Sequence, residues 1–99
     1  MSSLIRGYSE EESQRIFRIL SFTNKSAIVL DIKYKGPRSL DDLKKDLSAQ
    51  VMALYFPLQD LEKDKVIATN DDKYVLTEFG ERAAKTVEEA WKESEKIKA

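Results

Sequence analysis

Five leucines between residues 43 and 61 constrain the fold of this chain more than any other feature. They follow one another at intervals of four, seven, four and three residues, as Leu43, Leu47, Leu54, Leu58 and Leu61. Residues three or four apart lie on the same side of an α-helix. The spacing therefore predicts two amphipathic helices that cross each other, with Ala49 filling the short turn between them.

The second of these helices contains an unusual run, ALYFPLQDL, over residues 53–61. A proline inside a helix removes a backbone hydrogen bond and clashes with the preceding turn, whereas a proline in the first turn is well tolerated. Two alternatives follow for Pro57. Either one helix ends near Tyr55 and another begins at Pro57, or a single helix continues through the proline and bends.

The N-terminal segment carries a clear helix start. Ser9 is followed three residues later by Glu12, which is the pattern of a capping box, and the acidic residues 10–12 suit the positive end of a helix dipole. Apolar residues then recur at positions 16, 17, 19, 20 and 22. We predict an N-terminal helix over residues 9–22 with a broad apolar face.

The segment from residue 24 to residue 36 fits two patterns. Its apolar residues from 28 to 34 alternate as in a strand, but their spacing also suits a helix. We favour the helix, because Asn24 or Ser26 can cap its start and because Gly36 and Pro37 form a typical helix ending.

The second half of the chain predicts a hairpin followed by a long helix. A short helix capped by Ser39 precedes the leucine-rich helix, and two apolar runs then flank the polar turn of residues 70–73, as in a β-hairpin. Thr77 can cap the last helix. That helix carries a heptad stripe, with Trp91 beside it, which consists of Ala83, Val87, Ala90, Ser94 and Ile97. We expect the first helix, a second subunit or both to cover this stripe.

Composition excludes several classes of function. The chain has no cysteine and no histidine, so disulfides, thiolate metal sites and the commonest catalytic base are absent, and we expect neither an enzyme nor a cofactor. Its 17 basic and 18 acidic residues nearly cancel, with the basic surplus in the N-terminal half. No apolar run suits a membrane span or a signal peptide, which predicts a cytoplasmic protein without a membrane partner. The many Lys and Glu residues resemble thermophile surfaces.

Three stretches resemble a known family. GPRSLDDLKKDLSAQ, LQDLEKDKVI and especially YVLTEFGERA are similar to small winged helix-turn-helix DNA-binding transcription regulators of the MarR, ArsR and PadR kinds, and more closely to short archaeal Lrs-like regulators. The resemblance runs from about residue 27 to about residue 86. It implies a mainly α fold with a small β-hairpin (α+β), as one winged-helix domain over 1–99: an N-terminal helix (9–22), the helix-turn-helix and wing (24–76) and a C-terminal dimerisation helix (77–99).

The resemblance also implies a function and its residues. A homodimer would place two recognition helices in successive major grooves of double-stranded DNA, as a transcription regulator that is cytoplasmic and, in a prokaryote, nucleoid-associated. The DNA-binding residues it implies are Arg38, Ser39, Lys44, Lys45, Gln50, Met52, Tyr55, Phe56, Gln59 and Lys73. The expected dimer interface consists of Ile16, Phe17, Leu20, Ala83, Val87, Ala90, Trp91 and Ile97.

The outward face of the recognition helix departs from the usual pattern. With the leucines inward, it offers one glutamine and large apolar residues where base reading normally uses Arg, Lys, Asn or Gln. The wing tip has two aspartates and only one lysine, so we expect weak sequence specificity. Tyr55 and Phe56 could contact thymine methyls or sugars, form a protein interface, or lie in the core of a broken helix. The alternative function is therefore a protein-interaction module that uses Met52, Tyr55 and Phe56.

Overall fold

A computed structural model describes the backbone of residues 4–98 and the side chains of residues 4–95. In chain order, three helices precede the leucine-rich helix, and a two-stranded hairpin and a long helix follow it. Their bounds are α1 Glu10–Leu20, α2 Thr23–Lys35, α3 Leu40–Leu47, α4 Val51–Lys63, β1 Ile67–Asn70, β2 Lys73–Leu76 and α5 Glu78–Lys98.

Two capping boxes fix the starts of α1 and α3, as the sequence predicts. The Ser9 hydroxyl accepts a hydrogen bond from the Glu12 backbone N–H, and the Glu12 carboxylate accepts one from the Ser9 N–H, both at 3.1 Å. Ser39 and Asp42 form the same pair at 3.0 Å. Each box satisfies two N–H groups that the helix itself leaves unpaired.

The ambiguous segment is helical, as we favoured, but the predicted caps of α2 are wrong. Phe22 occupies the N-cap position and makes no side-chain cap hydrogen bond. Ser26 is buried instead, and its hydroxyl donates to the Ile19 carbonyl at 3.0 Å, near the end of α1. The tight connection between α1 and α2 brings that carbonyl close. Gly36 ends the helix with φ of 84°, a value that glycine adopts readily.

The hairpin closes through a two-residue turn. Its antiparallel register pairs Ile67 with Leu76 and Asn70 with Lys73, which leaves Asp71 and Asp72 at the tip. Both aspartates have positive φ, 52° and 62°, as a type I′ turn requires. This geometry matches the right-handed twist of the two strands.

A short bridge ties the hairpin to the segment before α3. The Arg38 N–H donates to the Tyr74 carbonyl at 3.1 Å, and the Tyr74 N–H donates to the Arg38 carbonyl at 2.7 Å. These bonds pair the outer edge of β2 with the segment before α3 and hold the start of α3 beside the hairpin.

The core lies where α1, α2, α4 and α5 meet. Its central side chains include Ile16, Val29, Leu54 and Val87, all fully buried. Helix α5 packs against both α1 and α2. The first half of the heptad stripe is therefore covered within the chain itself, since Ala83 and Val87 expose no surface.

A glycine allows α5 to approach the start of the hairpin. A Cβ atom built on Gly80 would lie 2.0 Å from the carbonyl oxygen of Val66, which no side chain can accommodate. Thr77 completes the junction: its hydroxyl accepts from the Gly80 N–H at 3.0 Å, as the predicted cap, and lies 3.2 Å from the Val66 carbonyl. The run YVLTEFGERA therefore encodes a specific contact between the hairpin and α5.

Candidate nucleic-acid interface

Helix α4 has one buried side and one exposed apolar side. Leu54, Leu58 and Leu61 are buried, as their spacing predicts. On the opposite side, Met52 is 75% exposed and Phe56 is 63% exposed. A large apolar surface at the outward face of a helix requires an explanation beyond packing, because the core does not use it.

Three side chains on this outward face contact one another. The rings of Tyr55 and Phe56 meet edge to face, with centroids 5.2 Å apart and planes at 83°. The Gln59 amide donates to the Tyr55 hydroxyl at 3.0 Å. The single glutamine of this face is thus partly occupied by a neighbour on its own helix.

The helix continues through Pro57 without a break, which decides between the two alternatives left open by the sequence. Proline lacks the N–H that would bond the carbonyl four residues earlier, which is that of Ala53. The side-chain amide of Asn24, from α2, donates to this carbonyl at 3.3 Å. The prediction that Asn24 caps α2 is therefore wrong. Its side chain instead supplies, from α2, the hydrogen-bond donor that the proline of α4 lacks.

The two lysines of α3 are available for a partner. Lys45 is exposed and Lys44 is half-buried, and within the described part of the chain neither forms an ion pair. Helix α3 packs on α4, so the helix that carries both lysines adjoins the helix that carries the outward apolar face. Positive charge beside an exposed helix is the arrangement that phosphate groups require.

Arg38 differs from the lysines, because its charge is used inside the protein. Its side chain is only 20% exposed, and its guanidinium lies 3.2 Å from the Asp42 carboxylate and 3.4 Å from that of Asp46. The hydrogen bond from the Ser39 backbone N–H lowers the pKa of Asp42, and the charge of the Arg38 guanidinium lowers it further. The cation that resemblance assigned to DNA is thus paired with two carboxylates.

A half-buried pair of carboxylates, bridged by an exposed lysine, joins α3 to α2. Lys35 lies 3.5 Å from Asp31 and 3.3 Å from Asp46, so one ammonium group bridges both carboxylates. Burial raises the pKa of Asp31, and the hydrogen bond from Asp31 lowers the pKa of Asp46. This network holds the helix that carries Lys44 and Lys45 against the core of the molecule.

The remaining predicted DNA-binding residues lie at the edges of this surface. Gln50 is exposed at the N-cap position of α4, and the Ser39 hydroxyl is engaged in capping α3. Lys73 is exposed beside the acidic turn of Asp71 and Asp72. Helices α3 and α4, which carry most of the predicted DNA-binding residues, therefore pack together, while the hairpin tip offers mixed charge.

The predicted dimer residues divide into two groups. Ile16, Ala83 and Val87 are buried within the chain, so they present no surface to a second subunit in this form. The side chain of Ile97 lies outside the described residues. The others reach the surface: Phe17 and Trp91 are exposed, and Leu20 and Ala90 are half-buried.

The sequence reasoning overlooked a cleft between the start of α2 and α4. The cleft has a volume of about 300 Å³, and the rings of Phe22, Phe56 and Pro57 contribute to its walls. Lys25 is buried at its base, where its ammonium lies 3.3 Å from Asp60 and 4.7 Å from the centre of the Phe22 ring. The signal available in the sequence was Phe22, an apolar residue at the very end of the predicted N-terminal helix.

The arrangement of elements defines the class of fold. Three helices, a recognition-type helix, an antiparallel hairpin and a long C-terminal helix make a winged helix-turn-helix, mainly α with a small β part, as the sequence predicts. Within residues 4–98, no helix is long and apolar enough to cross a membrane. The same residues contain no group of three or more acidic side chains placed to hold a metal ion.

Comparison with known proteins supports this fold. The chain is similar to the crystal structure of a selenomethionine derivative of a MepR mutant from a multidrug-resistant S. aureus clinical isolate, with a TM-score of 0.51 and 18% identity over 98% of this chain and 85% of that chain. The likeness fits the winged-helix, MarR-like resemblance of the sequence, and at this identity it establishes the fold alone. No protein-family model and no curated protein matches the chain.

Proposed function

We propose that this protein is a homodimeric DNA-binding transcription regulator with weak sequence specificity. The observation that supports the proposal is a winged helix-turn-helix in which α3, with two lysines that form no ion pair among the described residues, packs on α4. In this fold the second helix of the motif enters the major groove and the hairpin reaches the adjoining backbone. We assign the protein to the cytoplasm, in association with the nucleoid if the host is a prokaryote.

Weak specificity follows from the polar groups available. The Gln59 amide is shared with Tyr55, and Arg38 is neutralised by carboxylates. Specific base recognition generally needs bidentate side chains such as arginine or glutamine in the groove. Phosphate attraction through Lys44 and Lys45 is the main source of affinity in this proposal.

The salt dependence of binding tests the DNA part of the proposal. Each phosphate neutralised by a cation contributes about 0.9 to the slope of log affinity against log salt. Four lysines in a dimer therefore contribute about 3.6, and the variant K44A/K45A should lose up to about that much of the slope. The matched control K85A/K92A, on α5, should keep the slope of the wild type. Absence of binding to any duplex at micromolar protein and low salt would refute the proposal.

We assign the dimer interface to the exposed part of the α1 and α5 surfaces, around Phe17 and Trp91. Both side chains are apolar and solvent-exposed, and Trp91 lines a surface cleft together with the half-buried Leu20. Burial of such a patch by a second copy removes apolar area from water. Sedimentation should show a dimer that W91K converts to a monomer, while F56S, which changes an equally apolar residue on α4, should remain dimeric. A monomeric wild type would refute the interface.

Recruitment of a protein through Met52, Tyr55 and Phe56 is the alternative use of the exposed face. The exposed apolar face suits either partner, whereas the winged helix-turn-helix and the lysines of α3 without ion pairs favour DNA. We therefore adopt DNA as the partner and propose no enzymatic activity.

A further inference from the structure

The outward side of α4 has an unusual chemical character for a helix that enters a DNA groove. Met52, Tyr55 and Phe56 are exposed, and Tyr55 is still 49% accessible after its contact with Phe56. The polar groups of residues 52–60 have partners within the protein: Gln59 donates to Tyr55, and Asp60 lies 3.3 Å from the Lys25 ammonium. What the helix offers to a base edge is mainly apolar surface.

Only one group in the major groove suits such a surface. Bases present hydrogen-bond donors and acceptors there, except for the C5-methyl group of thymine. A polar base edge pressed against Met52 or Phe56 would lose water without gaining a partner, which is unfavourable. A thymine methyl in the same place would lose only apolar contact with water, which is favourable.

The spacing of the two most exposed side chains matches the spacing of bases. Met52 and Phe56 are four residues apart on one helix, so their positions differ by about 6 Å along its axis. Successive bases on one strand are about 3.4 Å apart. The two side chains can therefore reach methyl groups about two base steps apart.

We propose that α4 recognises DNA through the C5-methyl groups of thymine, with Met52 and Phe56 as the principal contacts. This inference rests on the proposed DNA-binding function and names the feature of the duplex that the helix selects. The protein then prefers duplexes that present thymine methyls in the major groove at the half-sites, and it has little preference among the hydrogen-bonding edges of the other bases.

The test replaces thymine by uracil throughout a labelled A·T-rich duplex. Uracil keeps the hydrogen-bonding edges and the phosphates of thymine and lacks only the C5-methyl group, so the two duplexes differ in the feature at issue. Binding is measured by fluorescence anisotropy at one low salt concentration. Each methyl buried against an apolar side chain is worth about fourfold in affinity, so the loss of two contacts weakens binding by about 16-fold for each half-site engaged.

Two variants separate methyl recognition from other effects. M52A/F56S changes only exposed residues, and it should bind both duplexes equally and more weakly than the wild type binds the thymine duplex. K44A/K45A should weaken binding to both duplexes by the same factor and keep the thymine preference. Circular dichroism confirms that each variant is folded before binding is compared.

The outcomes that overturn the proposal are distinct. If the wild type binds both duplexes equally, methyl recognition is wrong while DNA binding stands. If M52A/F56S keeps the thymine preference, the preference arises from duplex shape rather than from these side chains, and the proposal is again wrong. If the wild type binds neither duplex, the proposed function itself fails.

Discussion

The hydrogen bond between Asn24 and Ala53 gives the sharpest prediction about stability. Pro57 has no N–H to offer the Ala53 carbonyl, and the Asn24 amide lies 3.3 Å from that oxygen. If Asn24 compensates for the proline, its removal should matter only while the proline is present. We therefore expect N24A and P57A to be energetically coupled.

The expected magnitudes follow from the exposure of the bond. Both partners are exposed, so N24A leaves a carbonyl that water reaches, and the cost should be about 0.5 to 1 kcal/mol, near the low end for a lost hydrogen bond. That corresponds to a melting temperature lower by about 3 to 6 °C for a domain of this size. P57A removes the helix penalty of proline, which is about 3 kcal/mol, but the greater freedom of the unfolded chain offsets part of that gain. We therefore expect a net stabilisation of about 1 to 2 kcal/mol.

A double-mutant cycle by urea unfolding measures the coupling. In the P57A background, N24A should cost almost nothing, because the N–H of the new alanine bonds the Ala53 carbonyl. T23A, at the adjacent exposed position of α2, controls for introducing alanine into the first turn of that helix. Equal costs of N24A in both backgrounds would refute the compensation, even if N24A alone were destabilising.

Two further predictions concern the hairpin junction and the cap of α3. G80A should lower the free energy of unfolding by about 1 to 3 kcal/mol, because its Cβ meets the Val66 carbonyl, although alanine favours helix by about 1 kcal/mol. The control S94A, on the exposed side of α5, should change stability little. A G80A variant as stable as the wild type would contradict the close approach. The lowered pKa of Asp42 adds stability above its ordinary value of 3.8, and that stability is lost as pH falls through the lower folded value. The difference in melting temperature between wild type and D42N should therefore close in acid, and a constant difference would contradict the assignment.

Local sequence signals were sufficient for most of the fold. Ser9 and Ser39 each carry an acidic residue three positions later, and both form the predicted capping boxes. The hairpin turn falls within residues 70–73, and Thr77 caps α5 as expected. These features depend on neighbours within a few residues, so a sequence contains what is needed to recognise them.

The features that escaped prediction depend on distant partners. Asn24 looked like a cap, because nothing in the sequence indicates that the Ala53 carbonyl lies beside it. Arg38 is a different case, because its partners Asp42 and Asp46 lie only four and eight residues further along the chain, at 3.2 and 3.4 Å, and its predicted contact with phosphate stays a prediction. A polar side chain at a helix end has local and tertiary partners available, and only the assembled fold decides between them.

The division of positive charge between internal and external partners bears directly on the proposed function. Lys25, Lys35 and Arg38 each lie within 3.5 Å of a carboxylate, whereas Lys44 and Lys45 of α3 and Lys63 of α4 form no ion pair within the described residues. A protein that neutralises few phosphates binds DNA with modest affinity and a shallow salt dependence. Affinity gained from apolar contact with methyl groups is insensitive to salt, because no counterions are released. If the α4 surface recognises thymine methyls, the preference for thymine over uracil should therefore persist at salt concentrations that weaken binding to both duplexes.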